Sequence, residues 1–81
     1  MIFSDTKLNF IISVLQQMHP YDELNGDTEL VESGLLDSLS ILLVISQLEE
    51  NFDIVIDEKF IDPKYFSTPQ NIAKLVEQLS S

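Results

Sequence analysis

The stretch Gly34-Leu35-Leu36-Asp37-Ser38-Leu39 divides the chain into two kinds of sequence. Upstream, from Tyr21, the residues are largely acidic or turn-forming and show little periodicity. Downstream, Leu39 to Phe52 is rich in apolar residues at helical spacing. At about 100° per residue, Ile41, Val44, Ile45, Leu48 and Phe52 fall on one side of a helical wheel, the side expected to face a core. Asp37 and Ser38 at the junction are the residue types that cap helix N-termini, because their side-chain oxygens accept hydrogen bonds from first-turn amides. The boundary therefore predicts a helix beginning at this point.

That helix holds more leucine than its core stripe can use. Leu39, Leu43, Ser46 and Glu50 project roughly opposite the stripe, with Ser38 and Leu42 on the flank between. Leu39, Leu42 and Leu43 are expected to form a small exposed apolar ridge beside Ser38, a candidate docking surface. The competing expectation is that the preceding loop folds over the ridge and buries it.

Outward from the junction, Ser4-Asp5-Thr6 supplies capping residues for a first helix. Leu8, Ile11, Ile12, Leu15 and Met18 recur there at helical spacing, widened by Phe10 and Val14. Pro20 disfavours helical geometry at His19, so this helix should stop near Met18. His19, the only histidine, suits a capping or surface role at that end. The connection from Tyr21 to Asp37 is long and contains the turn signal Asn25-Gly26-Asp27. A loop of that length in a small domain is expected to be functional or packed on its own side chains, here Leu30, Val31, Leu35 and Leu36. Gly34 marks a tight turn or left-handed residue.

After Asn51-Phe52-Asp53 closes the second helix, Ile54-Val55-Ile56 reads as an extended connection, since no second strand offers itself for pairing. Asp57 to Phe66 suggests one or two short helical turns, with Pro63 at a first helical position and Phe60, Tyr65 and Phe66 as core plugs. Thr68-Pro69 starts a last amphipathic helix whose apolar face is Ile72, Leu75, Val76 and Leu79. The pattern predicts an all-α protein, a small helical bundle in a single domain over residues 1–81.

Composition narrows the function. With 81 residues and 44% hydrophobic content the chain suits a small globular fold despite a net charge of −10. Fourteen acids against four bases exclude nucleic acid as the main partner, because phosphate binding needs a basic footprint. The acidity either favours partners with basic patches or simply keeps the domain soluble. Without cysteine there are no disulfides and no thiolate metal ligands, and a lone histidine argues against a metal site. Neither a secretory signal nor an apolar run of membrane-spanning length is visible, so a cytoplasmic protein is expected. No enzyme constellation assembles. Ser38 lacks the G-x-S-x-G surroundings of a nucleophile elbow, and the carboxylates are scattered without an acid–base pair or an EF-hand order.

Glu32-Ser33-Gly34-Leu35-Leu36-Asp37-Ser38-Leu39, followed by Leu48-Glu49-Glu50-Asn51-Phe52-Asp53-Ile54, resembles the carrier-protein family. These are the acyl, aminoacyl and peptidyl carriers that bear 4′-phosphopantetheine. The resemblance covers nearly the whole chain and implies a four-helix bundle with a long loop between helices 1 and 2 and a short third helix. It implies that Ser38 is the attachment point, with Asp37 and Leu39 completing the motif. A phosphopantetheinyl transferase would supply the arm from coenzyme A, and an adenylating or acyl-loading enzyme the cargo. Synthase, tailoring or thioesterase enzymes would act downstream. The resemblance places the partner face on the second helix, at apolar Leu39 and Leu42 and acidic Glu49 and Glu50. The wheel adds Leu43 and Ser46.

Fatty-acid carriers place acids early in that helix, where this chain has Ser40 and Leu43. The leading end is therefore more apolar and resembles stand-alone aminoacyl, peptidyl or D-alanyl carriers, as does Asp62-Pro63-x-x-Phe66. The resulting expectation is a monomeric, non-catalytic carrier for natural-product assembly, with a D-alanyl or fatty-acid carrier as the alternative. A reading of another class is an unmodified helical adaptor that binds proteins through the Leu39-Leu42-Leu43 ridge.

Overall fold

The computed structural model describes residues 3–80, in which three α-helices and two short 3-10 turns follow one another along the chain. Helix α1 spans Phe3–Met18. Its stripe lands where the spacing predicts, with Ile11, Val14 and Leu15 buried and Leu8, Phe10, Ile12 and Met18 half-buried around them. The chain turns at Pro20: His19 N–H still donates to the Leu15 carbonyl at 2.9 Å, and Asp22 N–H then donates to the His19 carbonyl at 3.2 Å. The other end differs from expectation. The helix is already under way at Phe3, so Ser4-Asp5-Thr6 lie inside its first turn instead of ahead of it. Small polar and acidic residues suit both places, the cap through hydrogen bonding and the first turn through the helix dipole, and sequence alone does not separate the two.

Helix α2, Ser38–Phe52, buries Ile41, Val44, Ile45 and Leu48 and ends on Asp53 in the left-handed conformation at φ 55°. Helix α3, Pro69–Ser80, buries Pro69, Ile72, Ala73, Leu75 and Val76. α1 packs most extensively on α3, and α2 touches both. The buried set also takes in Leu30 and Leu36 from the long loop and Ile54, Ile56 and Phe66 from the return segment, so each connection is nailed to the same core. Each such side chain stabilises the fold by about 1.5–3 kcal/mol relative to exposure.

Two 3-10 turns, Glu58–Phe60 and Pro63–Tyr65, match the one or two short helical turns read from Asp57 to Phe66 and replace the short third helix of a four-helix bundle that the resemblance implied. Each is capped by an aspartate, Asp57 accepting from Lys59 N–H at 3.0 Å and Asp62 from Lys64 N–H at 2.9 Å. Pro63 sits at the first position as predicted, and its ring bars α geometry at Asp62. That splits the segment into two stretches too short to repay helix nucleation. Phe66 is fully buried, and Phe60 and Tyr65 meet edge-to-face at 5.2 Å beside it. Residues 54–57 are extended without pairing, with Ile54 and Ile56 turned in and Val55 out.

The loop between α1 and α2 is tied to the start of α3 by Leu30 N–H on the Ser67 carbonyl at 2.8 Å and Gln70 N–H on the Gly26 carbonyl at 3.0 Å. Leu36 N–H donates back to the Leu30 carbonyl at 2.9 Å and closes the last turn before α2. Gly34 there has φ +85°, with no atom close enough to meet a Cβ, so backbone geometry alone calls for glycine. An L-residue in that conformation costs about 1–2 kcal/mol. Among the described residues, no helix is long and apolar enough to cross a membrane.

Candidate functional site

The loop delivers Asp37 in an extended conformation, φ −128° and ψ −172°, which frees its side chain to fold back over the first turn of α2. Asp37 Oδ1 accepts from Ser40 N–H at 2.9 Å, and its carbonyl accepts the first α-helical bond, from Ile41 N–H, at 2.9 Å. Asp37 is thus the cap, and Ser38 is the first helical residue, its side chain exposed. The Ser40 backbone N–H, helped by the Ser40 hydroxyl and the nearby amides of Leu39 and Asp37, holds the Asp37 carboxyl below the usual aspartate range, while slight desolvation opposes the shift. A fixed anion therefore stands next to Ser38. The helix dipole and first-turn amides attract a phosphate at such a position. Asp37 already occupies part of that field, and its charge opposes a second anion held against the same amides.

Beside Ser38 lies an open groove of about 500 Å³, lined by apolar Leu36, Ile41, Leu42 and Ile61 together with Asp37 and Asp62. On the outer side of α2, Leu39, Leu42 and Leu43 are 74%, 48% and 61% exposed, so the loop leaves the ridge open. Ser46 and Glu50 are exposed and continue that side, whereas Glu49 differs. It is half-buried, and its Oε2 accepts from Ile56 N–H at 2.9 Å, fastening the end of α2 to the extended segment that follows. The sequence reading placed Glu49 on the partner face, but its carboxylate is engaged within the fold.

His19 is more than a surface residue at the end of α1. Its Nε2 lies 2.7 Å from the Leu35 carbonyl, three residues before Ser38, and its Nδ1 lies 3.7 Å from Asp22 Oδ2. Sequence reasoning singled out neither that bond nor Ile61 in the groove. Both depend on how the long loop and the 3-10 turns fold back, for which local patterning carries no signal. Among the described residues, no group of His, Cys, Asp and Glu is arranged to hold a metal ion.

The site offers an exposed primary hydroxyl at a capped helix start, an apolar groove beside it and an uncovered apolar ridge behind it. These features fit a covalently attached arm that must remain reachable by other proteins. Comparison with known proteins agrees. Residues 9–76 match the protein family described as a phosphopantetheine attachment site. The chain is 31% identical over 71 residues to the D-alanyl carrier protein of Enterococcus faecalis, covering 85% of this chain and 91% of that one. It is 34% identical over 55 residues to the D-alanyl carrier protein of Bacillus subtilis, covering 68% and 70%, and 28% identical over 71 residues to that of Listeria monocytogenes, covering 85% and 91%. The group implied by the match is 4′-phosphopantetheine, held covalently. The chain belongs to the phosphopantetheine-bearing carrier proteins.

Proposed function

We propose that Ser38 receives the arm and that the protein carries aminoacyl groups, D-alanyl foremost, between the enzymes that load and use them. The observation that supports this most directly is the setting of Ser38, an exposed hydroxyl on the first residue of α2 within Gly34-Leu35-Leu36-Asp37-Ser38-Leu39. In the attachment step Ser38 Oγ bonds to the arm-bearing phosphorus of coenzyme A, the pyrophosphate P–O bond breaks, 3′,5′-ADP leaves, and the hydroxyl proton passes to the transferase. Once attached, the arm supplies a terminal thiol for thioester formation, which this cysteine-free chain otherwise lacks. Asp37 keeps the first turn formed and Ser38 at its outer edge.

Leu39, Leu42 and Leu43, continued by Ser46 and Glu50, form the face on which the transferase, the adenylating enzyme and downstream enzymes dock. Charge guides their approach. Eleven of the fourteen acids and only one of the four lysines precede Glu58, so the longer part of the chain, which contains this face, carries the whole net charge and attracts basic surfaces.

Natural-product assembly and D-alanyl transfer share the apolar leading end of α2. The named relatives are D-alanyl carriers, which favours the second. Intact mass after incubation with coenzyme A and a broad-specificity phosphopantetheinyl transferase tests the attachment. The wild type should gain one phosphopantetheine and Ser38→Ala none. No gain on the wild type, or an equal gain on Ser38→Ala, refutes the proposal and leaves the unmodified adaptor. The loaded form, offered to adenylating enzymes with D-alanine and with L-amino acids, should take D-alanine. Exclusive loading of other amino acids points to natural-product assembly instead.

A further inference from the structure

The turn at the end of α1 is more heavily bonded than a simple chain reversal needs. The Gln16 side-chain amide donates to the carbonyls of both His19 and Asp22 at 2.8 Å, and His19 N–H donates to the Leu15 carbonyl at 2.9 Å. Together they fix the backbone that carries the His19 ring. The ring is half-buried, and its Nε2 stands 2.7 Å from the Leu35 carbonyl, a contact spanning sixteen residues of chain. A carbonyl oxygen only accepts, so Nε2 carries the hydrogen and His19 is the donor.

What this bond restrains is the approach to Ser38. Because the peptide unit is planar, holding the Leu35 carbonyl also sets the orientation of the Leu36 amide, which donates to the Leu30 carbonyl at 2.9 Å. Two residues further on is Asp37, the cap of α2. Immediately before Leu35 stands Gly34, at φ +85° in open space, the most permissive backbone position of the segment. Glu32, Ser33 and Gly34 are exposed, and that side is held by a local turn, with Gly34 N–H on the Val31 carbonyl at 3.1 Å and the Ser33 hydroxyl on the Glu29 carbonyl. An exposed turn ending at Gly34 lies on one side of the peptide that His19 holds, and the cap and Ser38 lie on the other.

We propose that His19 is a positioning residue for modification of Ser38. Its Nε2–H tethers the loop to the end of α1, so that the cap and Ser38 are presented to the transferase in one orientation. This rests on Ser38 being the attachment point. It goes beyond that reading by giving a role to a residue outside the motif, just past the end of α1.

The test compares three variants of the full chain: His19→Ala, His19→Phe, which keeps ring bulk without a donor, and His19→Gln, whose Nε2 amide can reach the same carbonyl. Phosphopantetheine transfer from coenzyme A is followed by intact mass at varied carrier concentration, alongside urea denaturation and hydrogen exchange of the Ser40 amide. Loss of the donor should raise the KM for the carrier about 2- to 10-fold, the range of one net hydrogen bond, with kcat within about twofold. His19→Gln should return KM to within about twofold of wild type, and Ser40 exchange should quicken in Phe and slow again in Gln. If His19→Ala does not fold, His19→Phe carries the comparison. A wild-type KM in His19→Phe, or a His19→Gln no better than His19→Phe, overturns the proposal. The exchange measurement needs no transferase. An unmodified wild type with faster Ser40 exchange in His19→Phe would therefore refute the attachment reading while showing the tether, and unchanged exchange would refute the tether itself.

Discussion

α2 and α3 begin in the same way and end up in opposite surroundings. At α2, Asp37 accepts from the amide three residues on, Ser40, and its carbonyl takes the Ile41 amide. At α3, Thr68 Oγ1 accepts from Asn71 N–H at 3.1 Å and its carbonyl takes the Ile72 amide at 3.1 Å. Beyond that shared geometry the two diverge. Pro69 is buried and has no N–H to satisfy, Gln70 N–H is taken by the Gly26 carbonyl, and the Asn71 side chain donates to Ser67 Oγ at 2.6 Å. That start is sealed by the long loop. At α2 the residues Asp37, Ser38 and Leu39 are all exposed, and among the described residues no carbonyl from another segment comes to the first turn. Capping chemistry marks where a helix begins. The neighbouring chain decides whether that beginning is closed off or left available for chemistry.

Leu30 is the joint between the two starts, and its removal should have the largest effect on stability. Its side chain is fully buried, its N–H holds the Ser67 carbonyl next to the α3 cap, and its carbonyl holds Leu36 next to the α2 cap. Leu30→Ala is expected to cost about 2–5 kcal/mol in urea denaturation, the range for leucine truncation in a core. Exchange at the Gln70 amide should quicken with it, because the Gly26 carbonyl sits on the same loop. A loss well under 1 kcal/mol would mean that the loop contributes little to the core and that the α3 start is sealed by other means.

A smaller change separates the caps themselves. Thr68→Ala removes the side-chain acceptor for Asn71 N–H while leaving Pro69 in place, and should cost about 1 kcal/mol. Phosphopantetheine transfer to Ser38 should be unchanged, measured by intact mass at matched fractions folded. A slowed transfer would show that the sealed start influences the open one.

The helices were legible because their apolar residues recur at 3.6-residue spacing and because Pro20, Gly34 and Thr68-Pro69 punctuate them. The ridge was legible too, since Leu39, Leu42 and Leu43 lie off the stripe that Ile41, Val44 and Leu48 define. What escaped were features set by segments returning from elsewhere. Glu49 reads as a solvent-facing acid until the chain reverses at Asp53 and brings the Ile56 amide to it. His19 reads as a helix end until the loop carries the Leu35 carbonyl to its ring. Asp57 to Phe66 forms the two short turns its own residues suggested, with Pro63 opening the second, and the short third helix that the resemblance implied gives way to them because Pro63 splits the segment. The start of α1 was misplaced because Ser, Asp and Thr are at home on either side of a helix boundary.

The gentlest probe of the contrast is acid, because one cap is ionisable and the other is not. Asp37 has its carboxyl lowered from the ordinary value of 3.8, chiefly by the Ser40 backbone N–H and then by the Ser40 hydroxyl. A carboxyl with a depressed folded value favours the fold in its ionised form. Its contribution is therefore complete above the unfolded value and is lost as pH falls through the lower folded one. Above about pH 5 the cap should be insensitive to pH, and loosening should be confined to the acid side of 3.8. A carboxyl NMR titration should place the Asp37 midpoint below 3.8, with the Ser40 amide shift inflecting at the same pH. Asp37→Asn, which keeps an oxygen acceptor, should abolish that inflection without removing the cap. The Asn71 amide, held by the Thr68 hydroxyl, should show no matching inflection, since its acceptor does not ionise in that range. A midpoint at or above 3.8 would mean that Asp37 does not hold Ser40 in solution. The first turn of α2 would then be kept open by the loop alone, and the tether from His19 would carry more of the task of presenting Ser38.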